Sequence, residues 1–180
     1  MITIISGTNR KNSECLRFAR KYAEILQAKT DEPVQVLALE DIPHDWFYNG
    51  MYEDDGQSSS LAQLQDAYML PAQKFVYVMP EYNGSFPGVV KLFIDACSVR
   101  QYKATFKNKK AALVGVATGR AGNLRGLEHF TGVLNHVGTV VLPNRLPISR
   151  IEELVDADGD ISDPGTLRSM EKQAEELLHF

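Results

Sequence analysis

Cysteine is scarce in this chain. Only Cys15 and Cys97 occur in 180 residues, too few and too far apart in sequence for a disulfide framework or a cysteine-based metal site. They read as reduced packing thiols, the state expected of a cytoplasmic protein. Long apolar runs are missing too. None approaches the roughly 18 residues that span a bilayer, so no membrane association is expected. The first residues read as a strand from Ile2 onward rather than as a secretory leader. There is no basic excess: 19 Lys and Arg stand against 23 Asp and Glu, for a net charge of −4. A general nucleic-acid surface is therefore not expected, and any anion site must be local. No His, Cys, Asp and Glu spacing suits a metal, and there is no GxGxxG, internal repeat, linker or low-complexity tract. With 44% hydrophobic and 23% charged residues, the composition is that of an ordinary globular protein. The length suits one domain, 1–180.

What is present is an alternation of strand and helix patterns. Apolar strands are predicted at Ile2–Ser6, Val34–Leu39, Lys74–Met79, Ala111–Ala117 and Thr139–Leu142. Helices are predicted from Ser13 to about Ala28, from a cap at Ser58–Ser60 to about Leu70, and over Gly88–Cys97, Gly122–Val137 and Asp163–Leu178. Five apolar strands separated by helices imply an α/β architecture, a parallel sheet covered on both faces. One connection is out of proportion. Asp41–Ser59 carries Trp46, Phe47, Tyr48 and Tyr52 with the acids Glu53, Asp54 and Asp55, as a pocket wall, a subunit contact or local packing would. Trp46 is the expected anchor of a subunit contact.

The first fifteen residues carry the strongest local signal. A short apolar run ends in Gly7-Thr-Asn-Arg-Lys-Asn-Ser13 and passes into a helix. A strand, a small-residue loop and a helix N-terminus form a phosphate-binding arrangement, because free backbone N–H groups and the helix dipole converge on one point. Hydroxyls on Ser6, Thr8 and Ser13 and the Arg10 guanidinium can add to it.

Two further loops follow strand ends, where ligands of open parallel sheets bind. One is Pro80-Glu-Tyr-Asn-Gly-Ser-Phe-Pro-Gly88; the other is Thr118-Gly-Arg-Ala-Gly-Asn-Leu-Arg-Gly126. These loops resemble those of the NADPH-dependent FMN reductases, flavodoxin-like enzymes that include quinone, chromate and azo-dye reductases. That family's phosphate loop reads approximately Gly-Ser-x-Arg-x-x-Ser-x-Asn. Gly7, Thr8, Arg10 and Ser13 follow it, and Cys15 stands where Asn is usual. The family's second signature, Pro-Glu-Tyr-Asn-x-Ser-x-Pro-Gly, is matched throughout from Pro80 to Gly88.

The resemblance implies a three-layer flavodoxin-like fold with a five-stranded parallel sheet of order 2-1-3-4-5. It also implies an FMN-dependent NAD(P)H oxidoreductase. FMN is then the cofactor, NADPH or NADH the hydride donor, and a quinone, azo compound or free flavin the acceptor. The cofactor would be held by Gly7, Thr8, Arg10, Asn12, Ser13, Glu14 and Cys15 at the phosphate. Pro80, Glu81, Tyr82, Asn83 and Gly84 would run along the ring, with Thr118, Gly119 and Arg120 on its other flank. No protein acid, base or nucleophile is called for, since the chemistry is the flavin's. A homodimer or tetramer is expected on family grounds. Two alternatives stay open at this level: a flavodoxin-type electron-transfer protein, and a flavin-binding regulatory module without turnover.

Overall fold

The computed structural model describes residues 1–53 and 55–180. Asp54, one of the acids of the long connection, lies outside the described residues. The sheet is built from β1 (Ile2–Ser6), β2 (Val34–Ala38), β3 (Lys74–Pro80), β4 (Lys110–Val116), β5 (Val140–Val141) and β6 (Leu146–Ile148). Its order is β2-β1-β3-β4-β5, all pairs parallel. Register is continuous across the centre, Ile2 lying beside both Val34 and Lys74, and Lys74 beside Lys110.

Alternation along the central strands divides their side chains between two cores. Phe75, Tyr77 and Met79 of β3 and Ala111 and Leu113 of β4 face one side. Helices α2 (Ser59–Leu64), α3 (Gly88–Cys97) and α5 (Leu124–His136) contribute to that core through Leu61, Phe93 and Phe130. Val76, Val78, Ala112 and Val114 face the other side. There α1 (Glu14–Gln27) and α6 (Pro164–His179) pack Phe18, Tyr22, Met170 and Leu177 against them. Cys97 is fully buried in the first core, as its place on an apolar helix face suggested.

Three elements differ from the sequence expectation. The fifth strand is split. β5 pairs with β4 only at Lys110 and Ala111, and β6 takes over beside Val114–Val116. Pro143 sits at the break, where a residue without an N–H cannot continue a ladder. The outermost position leaves Pro147 within β6 tolerable. The fifth helix begins at Leu124 rather than Gly122, because Gly122 and Asn123 both have left-handed backbones, φ 56° and 62°. A short helix α4 (Tyr102–Phe106) had no clear sequence signal.

The long connection is partly core. Trp46 is 3% exposed, stands edge-on to Phe93 at 6.3 Å and donates its indole N–H to Pro43 O at 2.5 Å. It is therefore a packing residue of this chain and is not available as a subunit anchor. Phe47, Tyr48 and Tyr52 are the exposed aromatics of this connection, at 64%, 46% and 65%.

Candidate active site

The first loop leaves β1 through Gly7, whose N–H donates to Val78 O of β3 at 2.8 Å. Thr8 is fully buried, and its hydroxyl lies 2.6 Å from the Tyr82 hydroxyl while accepting the Arg10 N–H at 3.1 Å. Thr8 thus spends its side chain tying the first loop to the second. Asn12 turns the chain with φ 56°. Ser13 caps α1, its Oγ accepting the Cys15 N–H at 3.3 Å.

The N–H groups of Asn9, Lys11, Asn12, Ser13 and Glu14 have no hydrogen-bond acceptor among the described residues. They cluster at the positive end of α1, and such a set of unused donors fits an anion. Lys11 is drawn to Asp41 at 2.7 Å. The exposed guanidinium of Arg10 has no ion-pair partner among the described residues. The Cys15 thiol points inward, donating to Val78 O at 3.0 Å and accepting from Ser6 Oγ at 3.4 Å. Burial pushes its pKa up to about 12, so it is a neutral packing group beneath the loop. Ser6 is likewise buried.

The second loop contains a tight hairpin. Tyr82 and Ser85 exchange backbone hydrogen bonds at 2.9 and 3.1 Å around Asn83 and Gly84. Both central residues are left-handed, φ 51° and 76°, the pattern that favours Asn-Gly in two-residue turns. Glu81 N–H reaches Val116 O at 3.3 Å, and Ser85 Oγ lies 2.9 Å from His129 Nδ1. The third loop is pinned from the far side of β4: Arg150 N–H donates to Gly119 O and Ile151 N–H to Ala117 O, each at 3.3 Å.

The three loops enclose a cavity of about 580 Å³, within the range that holds an organic cofactor, roughly 300–1,000 Å³. Arg10, Asn12, Ser13, Glu14 and Cys15 line one end of it. Pro80, Glu81 and Tyr82 form one wall, and Thr118 and Gly119 with Val116 and Ala117 form another. Gly7 and Thr8 lie beneath the first loop rather than on the wall. Asn83, Gly84 and Arg120 do not line the cavity either. Ile151 and Glu152 do, and sequence reasoning missed them. They belong to a short 3-10 turn, Ile151–Glu153, delivered by β6, and no local motif marks that delivery. Asn123 was also missed. It is fully buried and donates to Met79 O at 3.1 Å and Pro80 O at 3.0 Å.

The chain matches the family model described as NADPH-dependent FMN reductase over residues 1–153. A 2-hydroxy-1,4-benzoquinone reductase from a Burkholderia species is 25% identical over 171 residues, covering 94% of this chain and 90% of that protein. An NAD(P)H-dependent FMN reductase from Pseudomonas aeruginosa is 33% identical over 109 residues, covering 59% of this chain and 57% of that protein. Among solved structures, the flavoenzyme NAD(P)H:(acceptor) oxidoreductase FerB from Paracoccus denitrificans superimposes with a TM-score of 0.73 at 26% identity. That match covers 99% of this chain and 94% of the other.

Proposed function

The chain belongs to the NADPH-dependent FMN reductase family, and on that premise we propose how the residues of its cavity serve the reaction. The protein is an FMN-dependent NAD(P)H oxidoreductase. The observation that carries the site assignment is the junction of two features in one cavity: unused N–H donors at the start of α1, and walls built from the loops that follow β3 and β4.

The donors fit a single phosphate. The N–H groups of Asn9 and Lys11–Glu14, with the Arg10 guanidinium, would hold it by charge-assisted hydrogen bonds. The backbone of Pro80–Tyr82 would bear on one flank of the ring and Thr118–Gly119 on the other. The N–H groups of Thr118 and Gly119, which have no acceptor among the described residues, would stabilise negative charge, which is how a protein tunes a flavin. Bound FMN would supply hydride transfer from the nicotinamide to an acceptor, and the chain itself need supply no acid or base. Its contribution is orientation and exclusion of water. The Thr8–Tyr82 contact and the Tyr82–Ser85 hairpin hold the walls so that a flat reactant lies against the ring without ordering the loops on each visit. Quinones, azo compounds or free flavin are the acceptors that membership of this family suggests.

The reading extends to a single FMN-binding domain that acts in the cytoplasm as a homodimer or tetramer. Two buried free thiols support a reducing compartment. No described helix is long and apolar enough to cross a membrane. The exposed Phe47, Tyr48 and Tyr52 support a subunit contact.

The deciding experiment is an absorption spectrum of the purified protein before and after anaerobic NADPH, with the heat-released cofactor identified by chromatography. The expected result is FMN, bleached by NADPH alone. Recovery of FAD alone, or bound FMN that NADPH never bleaches, would overturn the assignment.

A further inference from the structure

The three loops of the cavity come from three separate strand ends, yet the second and third are fastened to each other at one buried point. Asn123 is 0% exposed and precedes α5 with a left-handed backbone, φ 62°. Its amide Nδ2 donates to the carbonyls of both Met79 and Pro80, at 3.1 and 3.0 Å. Those are the last two carbonyls before Glu81, where the chain leaves β3 to form the cavity wall. A carboxamide is the neutral group with two N–H donors on one nitrogen, and both are used here. The orientation is fixed chemically, since turning the amide over would set Oδ1 against two carbonyl oxygens.

The surroundings show the same joint from the α5 side. A Cβ on Gly126 would meet Asn123 Oδ1 at 2.1 Å and Phe86 N at 2.7 Å, so the second loop lies hard against the first turn of α5. Asn123 Oδ1 is buried with no hydrogen-bond partner among the described residues. A polar oxygen left unpaired in this way is a standing cost. It is tolerated at a position where the other half of the amide holds two carbonyls.

We propose that Asn123 is a positioning residue for the cofactor-binding wall. By fixing the Met79 and Pro80 carbonyls to the start of α5, it sets where the Glu81–Tyr82 backbone meets the flavin edge and makes the second and third loops move as one body. The proposal rests on the reading of this cavity as the FMN site. Asn123 touches neither the cavity nor the reactants; it acts through the loop.

Asn123→Gly separates the role from the backbone, because glycine keeps a positive φ without strain. Gly126→Ala keeps the asparagine in the chain but drives a Cβ against its Oδ1 and against Phe86 N, displacing the same joint from the α5 side. Gln65→Ala is the control. Gln65 is equally buried, and its Nε2 shares two N–H donors among Cys97 O, Arg100 O and Thr105 Oγ1, but it does not line the cavity. Each variant is measured well below its own unfolding temperature for FMN dissociation constant, flavin midpoint potential and the visible flavin spectrum. The expected result for N123G and G126A is a dissociation constant raised about fivefold or more, the equivalent of at least one lost hydrogen bond, with a displaced potential and spectrum. Gln65→Ala should lower the unfolding temperature and leave all three unchanged. If N123G does not fold, G126A carries the same comparison. Folded variants with wild-type dissociation constant, potential and spectrum would overturn the proposal. Wild-type protein that binds no FMN would instead overturn the reading beneath it.

Discussion

A Cβ placed on Gly7 would sit 2.9 Å from Met79 Cγ and from a Val90 methyl, and 3.1 Å from Val78 O. Glycine is therefore required where the first loop crosses β3, and Gly7→Ala should cost about 1–3 kcal/mol through overpacking. Thermal unfolding and FMN retention should both fall; an unchanged melting temperature would contradict this. Arg10 lies at the other extreme of exposure. It has no ion-pair partner among the described residues, so Arg10→Ala should leave the fold intact. Its FMN dissociation constant should rise about tenfold or more, as expected for a lost charge-assisted contact to phosphate, with the midpoint potential little changed. Equal dissociation constants in the two proteins would remove Arg10 from the site.

Cys15 makes a prediction of sign. Its ordinary pKa of 9.0 is pushed up to about 12 by burial. Between those values the unfolded chain has lost the proton and the folded chain keeps it, so the linkage favours unfolding as pH rises. Its stabilising contribution is whole below pH 9.0 and is lost toward pH 12. Chemical denaturation at pH 8 and pH 10 should show a smaller alkaline loss in Cys15→Ala than in wild type. Equal losses would show that the thiol does not ionise differently in the two states.

Among the elements, the broken fifth strand has the largest consequence. The split between β5 and β6 lets the chain return beside Val114–Val116, at the end of β4 nearest the cavity, and deliver Ile151 and Glu152 to its wall. Gly122 is the counterpart on the other side. Its φ is 56°, and a Cβ there would lie 2.7 Å from Ile148 N and from Pro147 C, backbone atoms that cannot swing aside. Gly122→Ala should displace β6, lower stability by about 1–3 kcal/mol and weaken FMN binding. Raised hydrogen exchange confined to residues 146–153 and 118–123 is the expected signature. Exchange identical to wild type would rule the displacement out. Helix α1 shows how one residue can serve two elements: Ser13 ends the loop and caps the helix, so the loop's unused donors and the helix terminus occupy one place.

For the whole molecule, the proposed reading has the nicotinamide and the acceptor share the cavity of the three loops. They should therefore take turns in it. Initial-rate plots at several acceptor concentrations should be parallel, with excess acceptor competing against NAD(P)H; intersecting lines without competition would mean separate sites. Oligomerisation has its own test. Sedimentation at micromolar concentration should give a species at least twice the 20.1 kDa of one chain, and a Tyr52→Ser, Phe47→Ser variant should weaken it while leaving Trp46, already packed on Phe93, unaffected. A wild-type monomer would end the proposal.

The sequence by itself determined the positions of the first four strands, the layer arrangement and two of the loops that build the cavity. Those are local properties: a continuous apolar run in Phe75–Met79, buried on both faces, a cap at Ser13, an Asn-Gly turn at Asn83–Gly84, and a nine-residue string from Pro80 to Gly88 close enough to a family signature to be read directly. Tertiary structure alone decided which side chains face the cavity. Thr8 sits in the phosphate-loop motif but turns away from the wall to Tyr82, and Cys15, at the end of the cavity, commits its thiol to Val78. Trp46 sits in an aromatic loop but fills the core. Ile151, Glu152 and Asn123 carry no motif and reach the site, or the joint behind it, from other parts of the chain. The physical reason is that strand, cap and turn preferences act over a few residues. The direction of a side chain in a loop depends on which distant surface packs against it, and that is fixed only when β3, β4 and β6 have been brought side by side.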